Sequence, residues 1–89
     1  MLINGQWCAA NNNAQFSVTN PATGATIGEV AAGGKAEAIA AIDAAEAAFP
    51  SWAGMTAFAR AAILRDAYKL MVEQKEHLAR TMTEEQGKP

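Results

Sequence analysis

Gly33-Gly34-Lys35-Ala36-Glu37-Ala38-Ile39-Ala40 is where the sequence changes character. Before it the chain is short, alternating and rich in turn residues; after it the chain is helical. From Lys35 to Phe49 there are eight alanines, and alanine is the best helix former. Ile39, Ile42 and Phe49, with Ala38 and Ala45 beside them, make one narrow apolar stripe. Pro50 predicts a helix end near Phe49. Thr56 is placed to cap a second helix, although Ala59 stands where a capping box would have Glu or Gln. Ile63, Ala67, Leu70 and Met71 read as its inward face, and Arg60, Arg65, Asp66, Lys69 and Glu73 as its solvated one. The polar run Glu73-Gln74-Lys75-Glu76-His77 predicts a break before a third helix, while Leu78 and Met82 keep a phase that also fits one long helix. Glu76 and Arg80 stand at the favourable i, i+4 spacing. Gly87 sits where a left-handed helix cap belongs, with Pro89 after it.

Working back from Gly33, Leu2-Ile3-Asn4-Gly5-Gln6-Trp7 puts an Asn-Gly pair between apolar residues, the strongest short-range hairpin signal. Phe16-Ser17-Val18-Thr19 alternates as a half-buried strand does. Asn20-Pro21-Ala22-Thr23-Gly24 is a turn in which Pro21 presets φ and Gly24 takes the left-handed exit. Thr26-Ile27-Gly28-Glu29-Val30 returns as a strand, with Gly28 a candidate bulge. The expected fold class is therefore α+β: two β-hairpins over residues 1–32, then two or three α-helices over residues 33–89. Two hairpins leave sheet edges uncovered, which a complete protein would hide.

The 89 residues are 51% hydrophobic, but 22 of those residues are alanine. Only 23 carry larger apolar side chains, the ones that exclude much water, so any core is thin. A net charge of −2 without a Lys/Arg cluster argues against nucleic acid as a partner. Glu37, Asp43 and Glu46 break the alanine-rich run, so no membrane span is expected. The N-terminus lacks the pattern of a signal peptide. The single cysteine allows no internal disulfide. The expected compartment is the cytoplasm.

Few residues offer chemistry. Cys8 would need an activating base or a helix N-terminus to serve as a nucleophile; beside Trp7 on a strand it reads as a small, partly buried apolar residue. His77 reads as a solvated helix residue near Glu73 and Glu76, and one Cys with one His makes no zinc site without further ligands. Glu84 and Glu85 point about 100° apart on a helix and do not converge. No two glycines form Gly-X-Gly, and both Gly34-Lys35 and Gly87-Lys88 lack the upstream glycine of a Walker loop. Trp7 and Trp52 read as core aromatics rather than partner-binding ones. No catalytic, cofactor-binding or metal-ligating residue is assigned.

In series, however, the segments form a pattern. Leu2-Ile3-Asn4-Gly5-Gln6-Trp7, Asn20-Pro21-Ala22-Thr23-Gly24 with Ile27-Gly28-Glu29-Val30, Ala44-Ala45 through Ala48-Phe49-Pro50 to Trp52, and Leu78-Ala79-Arg80 through Glu85-Gln86-Gly87-Lys88-Pro89 resemble, in order, the opening of the aldehyde dehydrogenase superfamily. Leu70-Met71-Val72-Glu73 and the stretch 78–89 look most like its succinate-semialdehyde group. Ala59 departs from the glutamate that many members place before the arginine matched by Arg60.

The resemblance implies that residues 1–89 are the N-terminal part of a cofactor-binding domain in an α/β, Rossmann-like enzyme. Members of the family are several times longer. It implies NAD or NADP for the full-length enzyme, oxidation of an aldehyde through a cysteine thioester, and a homo-oligomer. The catalytic cysteine, glutamate and asparagine and the cofactor-binding residues all lie downstream, so Cys8 does not correspond to the nucleophile. The expected fragment is scaffold: it neither binds cofactor nor oxidises aldehydes, and its partner is the remainder of the chain. The competing expectation is a free-standing α+β interaction module that docks through its alanine-rich helix. A small thiol enzyme using Cys8 is the third.

Overall fold

The computed structural model describes residues 1–88. The order of elements is β1 (Leu2–Ile3), β2 (Gln6–Trp7), β3 (Gln15–Thr19), β4 (Thr26–Ala31), α1 (Lys35–Gly54), α2 (Ala57–Glu73) and α3 (Lys75–Gln86). The fold is thus two small antiparallel hairpins followed by three helices, as the sequence leads one to expect.

The first hairpin pairs Leu2 with Trp7 and Ile3 with Gln6. Its turn puts Asn4 at φ 51 and Gly5 at φ 72, the paired positive dihedrals a two-residue hairpin demands. The Met1 ammonium donates to the Cys8 carbonyl at 2.7 Å, and the Cys8 N–H returns a bond to Met1 at 2.8 Å. The second hairpin turns at Asn20–Gly24. The Gly24 N–H donates to the Asn20 carbonyl at 2.7 Å, Asn20 Oδ1 accepts from Ala22, and Gly24 exits at φ 75. Gly28 lies inside β4 with open space where a side chain would be.

The helices depart from expectation in one place. α1 does not end at Phe49; it runs through Pro50 to Gly54. Pro50 cannot donate to the carbonyl four residues back, but that residue, Glu46, is exposed, so the loss of one ladder bond leaves no buried polar group. Ser51 Oγ donates to the Ala48 carbonyl at 2.9 Å in the same turn. Thr56 caps α2 as its position suggests, its hydroxyl accepting from Ala59 N–H at 3.2 Å. The break before α3 is a single residue, Gln74, at φ −100 and ψ 15. Gly87 ends α3 in the left-handed region at φ 66, its N–H bonded to the Thr83 carbonyl at 2.7 Å. Pro89, expected to reinforce that stop, lies outside the described residues.

The chain divides into two compact units. One holds residues 1–18 and 28–53, and the other residues 19–27 with 54 onward. In the first, Ala10 is the one buried apolar side chain among the described residues. In the second, the Asn20–Gly24 turn meets the end of α3. A Cβ on Gly87 would stand 2.9 Å from Pro21 Cγ and 3.0 Å from Ala22 N. The expected inward face of α2 is not covered: Ile63, Leu70 and Met71 are all exposed. Conversely Arg60, expected on the solvated face, is half-buried and turns its guanidinium onto the Met55 carbonyl.

Candidate functional site

An open hollow lies in the first unit. The tight Asn4-Gly5 turn sends β2 back beside β1 and delivers Cys8 to its wall. Ile3, Gln6, Ala9, Asn11 and, from α1, Ala36, Glu37 and Ala40 complete the lining of an open cavity of about 430 Å³. The Cys8 thiol is free and exposed, which corrects its reading as a partly buried apolar residue. The residues following β2 form a turn closed by Asn13 N–H on the Ala10 carbonyl, and only Ala10 is drawn in.

Glu37 is the acidic side chain lining this hollow, and its carboxylate is already engaged. One oxygen accepts from Asn11 N–H at 2.6 Å and the other from Gly34 N–H at 2.8 Å. These bonds favour the ionised form, so its pKa lies below the ordinary value of 4.5; the Gly34 bond is the largest cause and the Asn11 bond the next. A carboxylate held this way is a poor proton acceptor for a thiol. It is a good strut: it closes the first turn of α1 and ties the loop after β2 to that helix. The sequence reading took Glu37 only as a charge interrupting an apolar run. The available signal was Gly34-Lys35-Ala36-Glu37, the back-bonding half of a capping box with glycine at the cap. The bond to Asn11, 26 residues away, had none.

The same geometry decides how a dinucleotide would fare here. Helix N-termini attract phosphate through free N–H groups and the helix dipole. At α1 the Gly34 N–H points at Glu37, and that carboxylate is itself an anion where a pyrophosphate would sit. Neither Gly33-Gly34-Lys35 nor Gly87-Lys88 forms a phosphate cradle, because Gly87 is spent on the α3 cap and packs against Pro21 and Ala22.

His77 is exposed on α3 in the second unit, whereas Cys8 belongs to the first, so neither unit contains both. Glu76 and Arg80, with Glu84, line a shallow surface hollow, and the ion pair seen on the helices is instead Lys69 with Asp66 at 3.0 Å. Glu85 is exposed beside Glu84. No group of three His, Cys, Asp or Glu side chains among the described residues could hold a metal ion. No helix among them is long and apolar enough to cross a membrane. The two tryptophans are not core plugs: Trp7 is 83% exposed and Trp52 39%.

A sequence profile of the aldehyde dehydrogenase family matches residues 7–89. The chain is 53% identical over 88 residues to the NADP(+) succinate-semialdehyde dehydrogenase GabD of Escherichia coli K12, covering 99% of this chain and 18% of that one. It is 52% identical over 87 residues to a glutarate-semialdehyde dehydrogenase of Pseudomonas putida, covering 98% and 18%. Among solved structures, an NADP-dependent enzyme of E. coli superimposes with a TM-score of 0.94 at 53% identity, again over 99% of this chain and 18% of its own. The chain spans under a fifth of the length of these relatives. The profile runs from Trp7, the last residue of β2, through the second hairpin and all three helices, and on that match the chain belongs to the aldehyde dehydrogenase family.

Proposed function

We propose that these residues are the N-terminal part of an NAD(P)-dependent aldehyde dehydrogenase that oxidises a short acidic semialdehyde, succinic semialdehyde first, to the carboxylate. The observation that carries this is the 53% identity over 88 residues to a succinate-semialdehyde dehydrogenase. Within the whole enzyme, the segment belongs to the cofactor-binding domain and acts as scaffold. Nucleophile, base and cofactor site come from the remainder of the chain, its principal partner, in a homo-oligomeric assembly that engages neither nucleic acid nor membrane. The proposed compartment is the cytoplasm, in keeping with an unpaired thiol.

The scaffold role is supported by what the residues do. Glu37 spends its carboxylate on Asn11 and Gly34, Gly87 its backbone on a helix cap, and Cys8 has no activated partner in its hollow. The test has two arms. The complete protein carrying this sequence is expected to reduce NAD or NADP with succinic semialdehyde, and glutaric semialdehyde is the comparison substrate. The 89-residue chain alone is expected to give no reduced cofactor. Turnover by the short chain in proportion to its concentration overturns the scaffold reading. A complete protein inert towards both semialdehydes but active on an unrelated aldehyde overturns the substrate assignment.

A further inference from the structure

Asn4 is the one asparagine followed by glycine; Asn11, Asn12, Asn13 and Asn20 precede Asn, Asn, Ala and Pro. Asparagine is a thermolabile side chain, and its decay begins when the next residue's amide nitrogen attacks the side-chain carbonyl carbon. Gly5 brings to that attack a nitrogen with no side chain beside it. Both residues are exposed, and a Cβ on Gly5 would meet nothing within 4 Å. The other sites are less well placed. Proline after Asn20 has no N–H to give up, and the side-chain oxygens of Asn12 and Asn20 already accept from Ala14 and Ala22.

The closed hairpin holds the reacting atoms apart. With Asn4 at φ 51 and Gly5 at φ 72, the turn is of type I′, whose first ψ is about +30°. That ψ sets the Gly5 nitrogen across the Cα–C bond from the Asn4 side chain. Bringing the nitrogen round to the side-chain carbonyl turns ψ out of that range and parts Ile3 from Gln6. Only two residue pairs, Leu2 with Trp7 and Ile3 with Gln6, join the strands, and a two-stranded hairpin by itself is marginal in water.

We propose that Asn4 is a site of spontaneous deamidation, gated by opening of the β1–β2 hairpin. In the open state a bond forms from Gly5 N to Asn4 Cγ. The Gly5 nitrogen gives up its proton, and the bond from Cγ to Nδ2 breaks with loss of ammonia. Water then opens the cyclic imide at one carbonyl or the other, leaving aspartate or isoaspartate. Nothing is oxidised or reduced. Aspartate can refill the turn, since Asp-Gly suits it as Asn-Gly does. Isoaspartate adds a main-chain carbon to a two-residue turn, and Leu2 and Trp7 no longer meet in register. The modification is independent of which aldehyde the complete protein oxidises.

The test follows each asparagine of the complete protein during incubation at mildly alkaline pH. Peptide mapping by mass spectrometry reads the gain of one mass unit and the isoaspartate formed. The gain at Asn4 is expected to outrun that at Asn11, Asn12, Asn13 and Asn20, with both products present. Trp7→Ala is expected to raise the Asn4 rate about 1.5- to 5-fold, the weight of one cross-strand pair, and to leave the other sites unchanged. Leu2→Ala removes the same pair from the opposite strand and is expected to match it. An Asn4 that gains no faster than the other four, or gains only after denaturation, overturns the proposal. So does an Asn4 rate indifferent to whichever of the two variants folds. Should neither fold, the comparison of sites in the unsubstituted protein decides alone.

Discussion

The Glu37 carboxylate accepts from Asn11 through one oxygen and from Gly34 through the other, and both bonds are better made by a charged acceptor. Its pKa is lowered in the folded chain. By linkage, the stabilisation is fully present above the ordinary carboxylate value of 4.5 and is lost as pH falls through the lowered folded value. Glu37→Gln removes the charge and leaves one oxygen to serve two donors. The variant is expected to melt below wild type at neutral pH, with the gap closing at pH values under 4.5. A gap that is constant with pH contradicts the charged clamp. Cys8 gives the opposite expectation. It lines the same hollow, exposed and with no free base, so Cys8→Ser in the complete protein is expected to cost no catalytic rate and to leave stability within about 0.5 kcal/mol of wild type, as surface changes away from special contacts do. A large loss of rate would restore the thiol reading.

At the scale of elements, most of what the structure shows was legible where the cause is local. Asn4-Gly5, Asn20–Gly24, Thr56 and Gly87 each announce a backbone state that their own chemistry favours, and each adopts it. Pro50 was misleading because its penalty is finite. One lost bond on an exposed helix does not outweigh continuing that helix for another turn to Gly54. Pro50→Ala restores the donor and removes a ring that crowds the preceding turn, and is expected to stabilise the protein by about 1–3 kcal/mol, read as an increase in denaturant midpoint. No increase would show that Pro50 is matched to its helix. Gly87→Ala is expected to act the other way. It forces a side chain into the left-handed region, at about 1–2 kcal/mol, and drives a methyl against Pro21 and Ala22. Denaturant titration should show a loss of at least that size. A neutral result would mean that the end of α3 is free to move off the turn. What was illegible was non-local: the Glu37–Asn11 bond crosses 26 residues, and the inward face assigned to α2 depends on neighbours that a residue pattern does not name.

At the scale of the whole molecule the decisive quantity is surface. A compact protein of this mass exposes about 5,000 Å², and two separate compact units of half the mass about 6,000 Å². The chain exposes 7297 Å², above even the second figure, and the exposed residues include Trp7, Phe16, Phe49, Phe58 and Tyr68. Apolar surface on this scale is what interfaces and interiors carry, not the outside of a monomer, and the short strands of both hairpins have unpaired edges as well. Water therefore favours any process that covers these faces. Supplied alone, the 89-residue chain has only other copies of itself with which to do so. Its apparent mass in sedimentation velocity is expected to rise with concentration, its melting to broaden and to depend on concentration over about a hundredfold range, and it should bind a hydrophobic dye strongly. The same measurements on the complete protein should give one assembly of fixed mass and little dye binding. A monomeric 89-residue chain with a sharp, concentration-independent melt would show instead that α1 and α2 tolerate water, and would turn the balance towards the free-standing module.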